Sequence, residues 1–456
     1  MKHRSMKLRF LTFAALSLAA VIGLGLIATQ TAQAQNFKVL YNFTGGSDGE
    51  GPIGQPVVDN HGNIFGTAEQ GGSSHYGTVW EYSFDGTFSV LHSFVGSDGI
   101  YPSAGVKLDG KGKMFGTTVY GGSAGGGTVF EITPSGNFAT LYDFGSQNND
   151  PAVIYSGVTL DASGDLYGTS YQGGSSQSCY PFGCGTVWKL SSSGLETVLH
   201  SFDFSDGAWP GGGDLKMDEQ GNLYGVTSGG DSNADGTLFE ISSGGAFSVL
   251  YNFTGGRDGC GPVGSLLNYK GNLNGTAVSS CGSGGYGTVW QYNLGGKTLK
   301  LLHSFSGTDG AHPFGGVGCQ QGKKAVCAGN MFGTTNQGGI DGNGTVWEID
   351  SSGKFRTLHK FANSDGTHPS DRLFVDNKGN IYGTTVSGGS YGDGTLWEIT
   401  AAKKAKQRQP VNPSTVWDWV GSFPRAASRV SNTGLPFLDS LSEGQAVMPA
   451  LCLSTC

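Results

Sequence analysis

Residues 115–144 read FGTTVYGGSAGGGTVFEITPSGNFATLYDF. Three patterns in this stretch decide the fold. Phe115-Gly116-Thr117 is an aromatic-Gly-Thr triplet within a strand-like run. Gly127-Thr128-Val129-Phe130 opens a second strand, and Leu141-Tyr142-Asp143-Phe144 closes a third. Gly121-Gly122 and Pro134-Ser135-Gly136 supply the turns between them. Upstream, Asp109-Gly110-Lys111-Gly112 ends one more short strand. The unit therefore predicts four strands, Gly105–Asp109, Lys113–Tyr120, Gly127–Thr133 and Phe138–Phe144, here called a, b, c and d.

Working outward, the patterns recur in seven units, the first of them as the variants Tyr224-Gly225-Val226 and Asn274-Gly275-Thr276 in two. The Gly-Thr-[Val/Leu]-aromatic pattern begins at Gly77, Gly127, Gly185, Gly236, Gly287, Gly344 and Gly394. Its steps are 50 or 51 residues, apart from two of 58 and 57. A period of about 50 residues holding four strands is that of a propeller blade. One such sheet cannot cover both of its faces, and stacking blades around an axis does so. The chain opens on a lone strand d, Phe37–Phe43, and its repeats end on an a-b-c set near residues 371–400. These parts make one blade. The expectation is an all-β, seven-bladed propeller over residues 35–400, closed by its N-terminal outer strand. Closure removes the sheet edges that invite aggregation.

Composition agrees. Of 456 residues, 81 are Gly, and 26 Phe, 17 Tyr and 8 Trp accompany them. Disorder is excluded by that much aromatic surface, and collagen by the 15 prolines and the missing three-residue period.

Residues 1–34 read as a cleaved signal peptide: Lys2, Arg4, Lys7 and Arg9, an apolar run over Phe10–Ala28, then Ala32-Gln33-Ala34. The formal charge is −8 overall. Discounting the basic signal (+4) and the basic 401–456 tail (+3) leaves −15 on the repeats. Such a body repels phosphate backbones, so no nucleic-acid partner is expected. The tail reads as disordered, and no membrane-spanning helix is expected in the mature chain. Eight cysteines fall into close pairs, and an exported chain favours disulfides. Cys179/Cys184 and Cys319/Cys327 each sit in one of the two long repeats, where a bridge would restrain the added loop. Cys260 and Cys281 flank strands a and b of one unit and form the third candidate pair. Cys452 and Cys456 close the tail.

The repeat resembles the GloVer tandem-repeat family, the choice-of-anchor repeat proteins. The resemblance rests on Leu40–Phe43, Asp48–Pro52, Gly62–Thr67, Gly71-Gly72 and Gly77–Trp80 of the first unit and their counterparts across about 360 residues. It implies an exported bacterial surface or secreted protein and brings no catalytic activity with it. Residues 401–456 hold neither an apolar run of 18 residues nor a Leu-Pro-x-Thr-Gly motif, so secretion or periplasmic residence is expected over anchoring.

Candidate ligand residues lie on the loops between strands d and a. An Asp-Gly-x-x-Pro pattern places Asp98, Asp206, Asp309 and Asp365 there, with Tyr101, Trp209, His312 and His368 just before the proline. Rings on adjacent loops could stack on a sugar or a peptide. The plainer account makes the aspartates turn caps and the rings local packing. Gly-x-Ser-x-Gly around Ser47, Ser123 and Ser390 falls in hairpin loops, not at a strand-to-helix elbow. No asymmetric pair of carboxylates marks a catalytic centre. The sequence thus points to a monomeric, non-enzymatic binding propeller with a glycan or extracellular protein ligand at its loop face. Two alternatives stand beside it: an extracellular polysaccharide hydrolase or lyase using Asp or His there, and a purely structural surface protein. No cofactor or metal site is expected, and nothing supports a structural cation.

Overall fold

The computed structural model describes residues 36–401, except 148, 280–284, 322–326 and 370–371. The expected signal (1–34), nearly all of the tail (401–456), Cys281, Cys452 and Cys456 lie outside the described residues.

The chain is a seven-bladed β-propeller of seven four-stranded antiparallel sheets. Blade 2 shows the pattern, with strands at Lys107–Leu108, Met114–Thr118, Thr128–Ile132 and Phe138–Asp143. Strand a is shorter than the sequence predicts. The reason is crowding at the axis. A Cβ on Gly105 would lie 2.2 Å from the Gln55 carbonyl oxygen of blade 1. That segment therefore packs on its neighbour's backbone instead of extending its own ladder.

The glycine of each aromatic-Gly-Thr triplet is not a turn residue. It faces the strand-c ring directly, as Gly116 faces Phe130 and Gly168 faces Trp188. A Cβ there would stand 2.4 Å from the Phe130 ring or 2.3 Å from the Trp188 ring. The ring lies across the gap, and only glycine leaves that gap open. The five strand-c tryptophans are fully buried in this way.

Seven hydrophobic clusters occupy the seven junctions between blades. The last closes the ring: Phe43 and Leu396 of blade 7 pack on Ile64, Ala68 and Trp80 of blade 1. Within blade 7 the N-terminal strand Phe37–Asn42 pairs with Thr395–Ile399.

Cys179 and Cys184 form a disulfide. Cys260 is disulfide-bonded as well. The expected Cys319–Cys327 bridge is not formed; both are free thiols. The register explains this. Cys319 stands opposite Met331 and Cys327 opposite Gln321, so the two meet only diagonally across the ladder.

Two blades lack the ring stack found at the other junctions: blade 5, with Leu299 in the slot, and blade 3, with an acid. At the first slot of strand d, Phe88, Phe138, Phe247, Phe355 and Phe37 stack on a ring of the preceding blade. Blade 3 has Glu196 there, opposite Leu190. Its Oε1 is buried without a hydrogen-bond partner, and burial followed by the Asp150 charge pushes its pKa up to about 7. The folded chain keeps this proton where the unfolded chain has lost it, so stability falls as pH rises from about 4.5 to about 7. The side chain is half-exposed, which limits the effect to about 1 kcal/mol. Denaturant titrations should show Glu196→Gln more stable than wild type by that amount near pH 8 and equal to it near pH 4.5. Parallel wild-type and variant profiles would contradict the assignment.

Candidate functional site

The loops between d and a and those between b and c share one end of the propeller. On that face the repeated aspartates have their oxygens committed. Asp98 accepts the Val95 N–H at 2.8 Å through Oδ1 and meets His92 Nε2 at 2.9 Å through Oδ2. Asp206, Asp309 and Asp365 repeat this with His200, His303 and His359 at 2.8, 3.0 and 3.1 Å. An ionised carboxylate can only accept, so Nε2 carries the hydrogen. Burial pushes the His92 and His303 pKa values down, against the pull of their aspartates, which favours the uncharged ring. Each ring then stacks on the next blade's phenylalanine, His92 on Phe138 at 3.6 Å. These groups bolt loop to strand and blade to blade. Among the described residues no group of three or more His, Cys, Asp or Glu converges as a metal site.

The next slot carries strain. Tyr101, Trp209, His312 and His368 all hold left-handed backbone, at φ 59°, 57°, 55° and 57°. Gly51 and Gly261 fill the same slot in blades 1 and 5 at 64° and 59°, and Val153 in blade 3 at 61°. A non-glycine residue costs about 1–2 kcal/mol in this region. Two hydrogen bonds hold it there. The Tyr101 N–H donates to the Tyr76 carbonyl of the preceding blade, and its own carbonyl accepts from Val119 N–H, each at 3.0 Å. Strain retained where glycine would serve is a mark of function.

Tyr101 and Trp209 belong to a larger assembly on blades 2 to 4. Tyr101 meets Tyr120 edge-on at 6.3 Å. Tyr155 meets Tyr171 edge-on at 5.6 Å, and Tyr171 stacks on Trp209 at 6.4 Å. Phe204 closes the series against Trp209 at 5.9 Å. Burial, followed by the neighbouring Tyr120 phenol, pushes the Tyr155 pKa up to about 12. Glu69 borders this inner edge and accepts the Ser103 hydroxyl at 3.1 Å. At the outer edge, the Cys179–Cys184 loop exposes Tyr180 and Phe182. The result is a crescent of ring faces edged by phenols, a hydroxyl and one carboxylate. Such a surface offers apolar faces and hydrogen-bonding groups at adjacent points.

His312 and His368 lie apart from it. Their Nδ1 atoms meet the Val278 carbonyl at 3.2 Å and the Thr367 hydroxyl at 3.0 Å. Sequence reasoning missed Tyr120, Tyr155, Tyr171 and Glu69. Glu69 and Tyr171 share one slot of their repeats, Tyr120 and Tyr155 occupy two others, and only the ring brings the four together. The available signal was the run of residues ending strand b, where Glu69 and Tyr171 stand against Val119, Ser228, Val278, Asn336 and Val386.

A family model described as the Gloeobacter/Verrucomicrobia repeat matches residues 17–182, 176–325 and 278–416. No curated protein matches the sequence. Among solved structures, an oligogalacturonate lyase in complex with manganese superposes with TM-score 0.53 at 12% identity, over 81% of this chain and 94% of that one. The oligogalacturonate lyase of Vibrio parahaemolyticus gives 0.51 at 10% identity, over 80% and 97%. The extracellular domain of a hybrid two-component system from B. thetaiotaomicron gives 0.50 at 12% identity, over 80% of this chain and 41% of that longer one. At these identities the likeness is one of fold.

Proposed function

We propose a function that starts from one premise: the chain belongs to the Gloeobacter/Verrucomicrobia repeat family. It is an exported, monomeric propeller that binds a glycan on the aromatic crescent of blades 2 to 4. The observation that carries this reading is the broken symmetry of the loop face. Seven blades share one scaffold, yet Tyr101, Tyr120, Tyr155, Tyr171 and Trp209 gather on three neighbours. Sugar rings present C–H faces to aromatic rings and hydroxyls to the groups around them, and the crescent offers both. Glu69 and Ser103 would take hydroxyls at the inner edge. Asp98, Asp206, Asp309 and Asp365 act through the loops they hold, and His312 and His368 extend the face for a longer ligand.

The test is an oligosaccharide array followed by calorimetry on the purified protein. Saturable binding to one glycan class is expected, with no new reducing ends or unsaturated products. Absence of binding across plant, bacterial and animal glycans overturns the reading. The second reading, an extracellular polysaccharide lyase or hydrolase, draws on Glu69, the acid at this inner edge. Turnover abolished by Glu69→Gln would favour it over simple binding.

A further inference from the structure

The crescent face carries charge of one sign. Blades 2 to 4 present six loops on it, residues 94–106, 119–127, 144–158, 171–185, 202–215 and 228–236. These loops hold seven aspartates and neither Lys nor Arg, and Glu69 joins them at the inner edge. Lys107 and Lys216 open strand a just beyond two of the loops. Lys107 lines a small axial cavity with Asp214 and offsets that one charge, while Lys216 lines another with Asp218 and Glu219. Ion pairs with lysine form at the opposite end of the blades, as Lys113–Glu131 at 2.8 Å and Lys189–Asp165 at 2.7 Å do. Ring faces attract cations as carboxylates do, so the rings and the charge ask for the same kind of ligand.

The charge is densest around Trp209. Asp203 and Asp206 flank Phe204 on its own loop, and Asp231 and Asp235 come from loop 228–236. The two loops meet closely: the Asp231 N–H donates to the Phe204 carbonyl, and a Cβ on Gly229 would lie 2.8 Å from the Trp209 ring. Asp231 is out of pattern. It takes the slot of the second glycine in Gly-Gly, filled elsewhere by Gly72, Gly122, Gly174, Gly339 and Gly389, and it holds their left-handed backbone at φ 68°. It is 5% exposed. Its Oδ1 accepts the Asn233 and Ala234 N–H groups at 2.6 and 3.0 Å, and its Oδ2 is buried with no hydrogen-bond partner among the described residues. Burial, followed by the Asp231 and Asp258 charges, raises the Asp235 pKa. An unpaired carboxylate oxygen in such a place costs stability until a positive group supplies the partner.

We propose that the crescent selects an amino sugar whose amine is free and protonated, its ring laid on Trp209 and its ammonium turned toward the Asp231 loop. This rests on the glycan reading and narrows it. A neutral sugar leaves the carboxylates unanswered, and a uronate is repelled by them. An oligomer spanning the crescent brings a second ammonium to Glu69.

Calorimetry on the purified chain at about pH 5.5 tests this with a glucosamine oligomer, its N-acetylated counterpart of the same length, an oligogalacturonate and oligolysine. The free-amine sugar should bind at least tenfold tighter than the acetylated one, and the oligogalacturonate should not bind. The preference should fade toward about pH 9.5, where the amine is uncharged. Asp231→Asn, at nearly constant shape, and Glu69→Gln should each cut the ratio of those two affinities at least threefold. They lie on different blades, so one keeps the test alive if the other fails to fold. Equal affinities for the two glucosamine forms, tighter binding of the oligogalacturonate, or a ratio unchanged in both variants would overturn the amine preference and leave the glycan reading standing. Oligolysine binding as tightly as the sugar would replace the glycan with a basic peptide and overturn both. Binding to no sugar at all also removes both.

Discussion

Trp209→Gly should weaken glycan binding by roughly thirtyfold, about 2 kcal/mol, and leave the melting temperature nearly unchanged. The two halves of this result have separate causes. The indole is the largest ring of the crescent, stacked on Tyr171 and braced by Phe204. Tryptophans in such positions carry a disproportionate share of binding energy. Its backbone, however, sits at φ 57°, where Gly51 and Gly261 hold the equivalent loops without strain. Relief of about 1–2 kcal/mol offsets the packing that is lost. Calorimetric binding and melting curves on the same preparation check both halves. A variant that binds as wild type does would remove the crescent from consideration. A variant that binds weakly only because it has unfolded would betray itself in the melt.

The largest stability effect is expected from a chain that begins at residue 44. It should lose its cooperative fold, because the missing strand contributes more than the ~5–15 kcal/mol by which domains are stable. Phe43 is fully buried at the junction with blade 1. Phe37 stacks on His359 at 3.7 Å and on Trp397 at 5.7 Å. Removing a buried Phe costs ~3–5 kcal/mol, before the five paired positions along Thr395–Ile399 are counted. The uncovered strand is then an unpaired edge, which promotes association. Gel filtration and limited proteolysis should find aggregated, protease-sensitive protein, and a synthetic peptide of residues 36–45 should restore resistance. A truncated chain that melts at the wild-type temperature would show that the seam is not what holds the ring.

The blades were legible because each repeats the same three patterns at a fixed spacing. The phase of the first and last strands then dictated the closure. The length of strand a was not legible. Its limit is set by contact across the axis, as between Gly105 and Gln55, and no single repeat records that contact. The role of the strand-b glycines was not legible for a related reason. A turn and a ring both ask for glycine, and only the register distinguishes Gly116 under Phe130 from Gly121 at φ 81°.

The site was half-legible. Tyr101 and Trp209 declared themselves by departing from a repeated slot, whereas Tyr120, Tyr155 and Tyr171 fall in slots with no common pattern. A pairing inside the loops also escaped notice. Where strand d offers Tyr41 or Tyr251, the aspartate takes the phenol at 3.0 Å and the strained slot is Gly51 or Gly261. Where it offers His92, His200, His303 or His359, the slot carries Tyr101, Trp209, His312 or His368. Strand a is long in the first class, Glu50–Val58 and Cys260–Tyr269, and only two residues in blades 2, 4 and 7 of the second. One choice on strand d thus accompanies a whole loop design.

The seam in blade 7 has a consequence for display. The Thr400 N–H donates to the Asn36 carbonyl at 3.0 Å, so the chain enters and leaves the ring side by side. Strand d starts, and strand c ends, at the face opposite the crescent. Any tether joined at either point would therefore hold the disc by its back. The crescent would look outward, toward whatever the surroundings bring, with neither exit point on its own face.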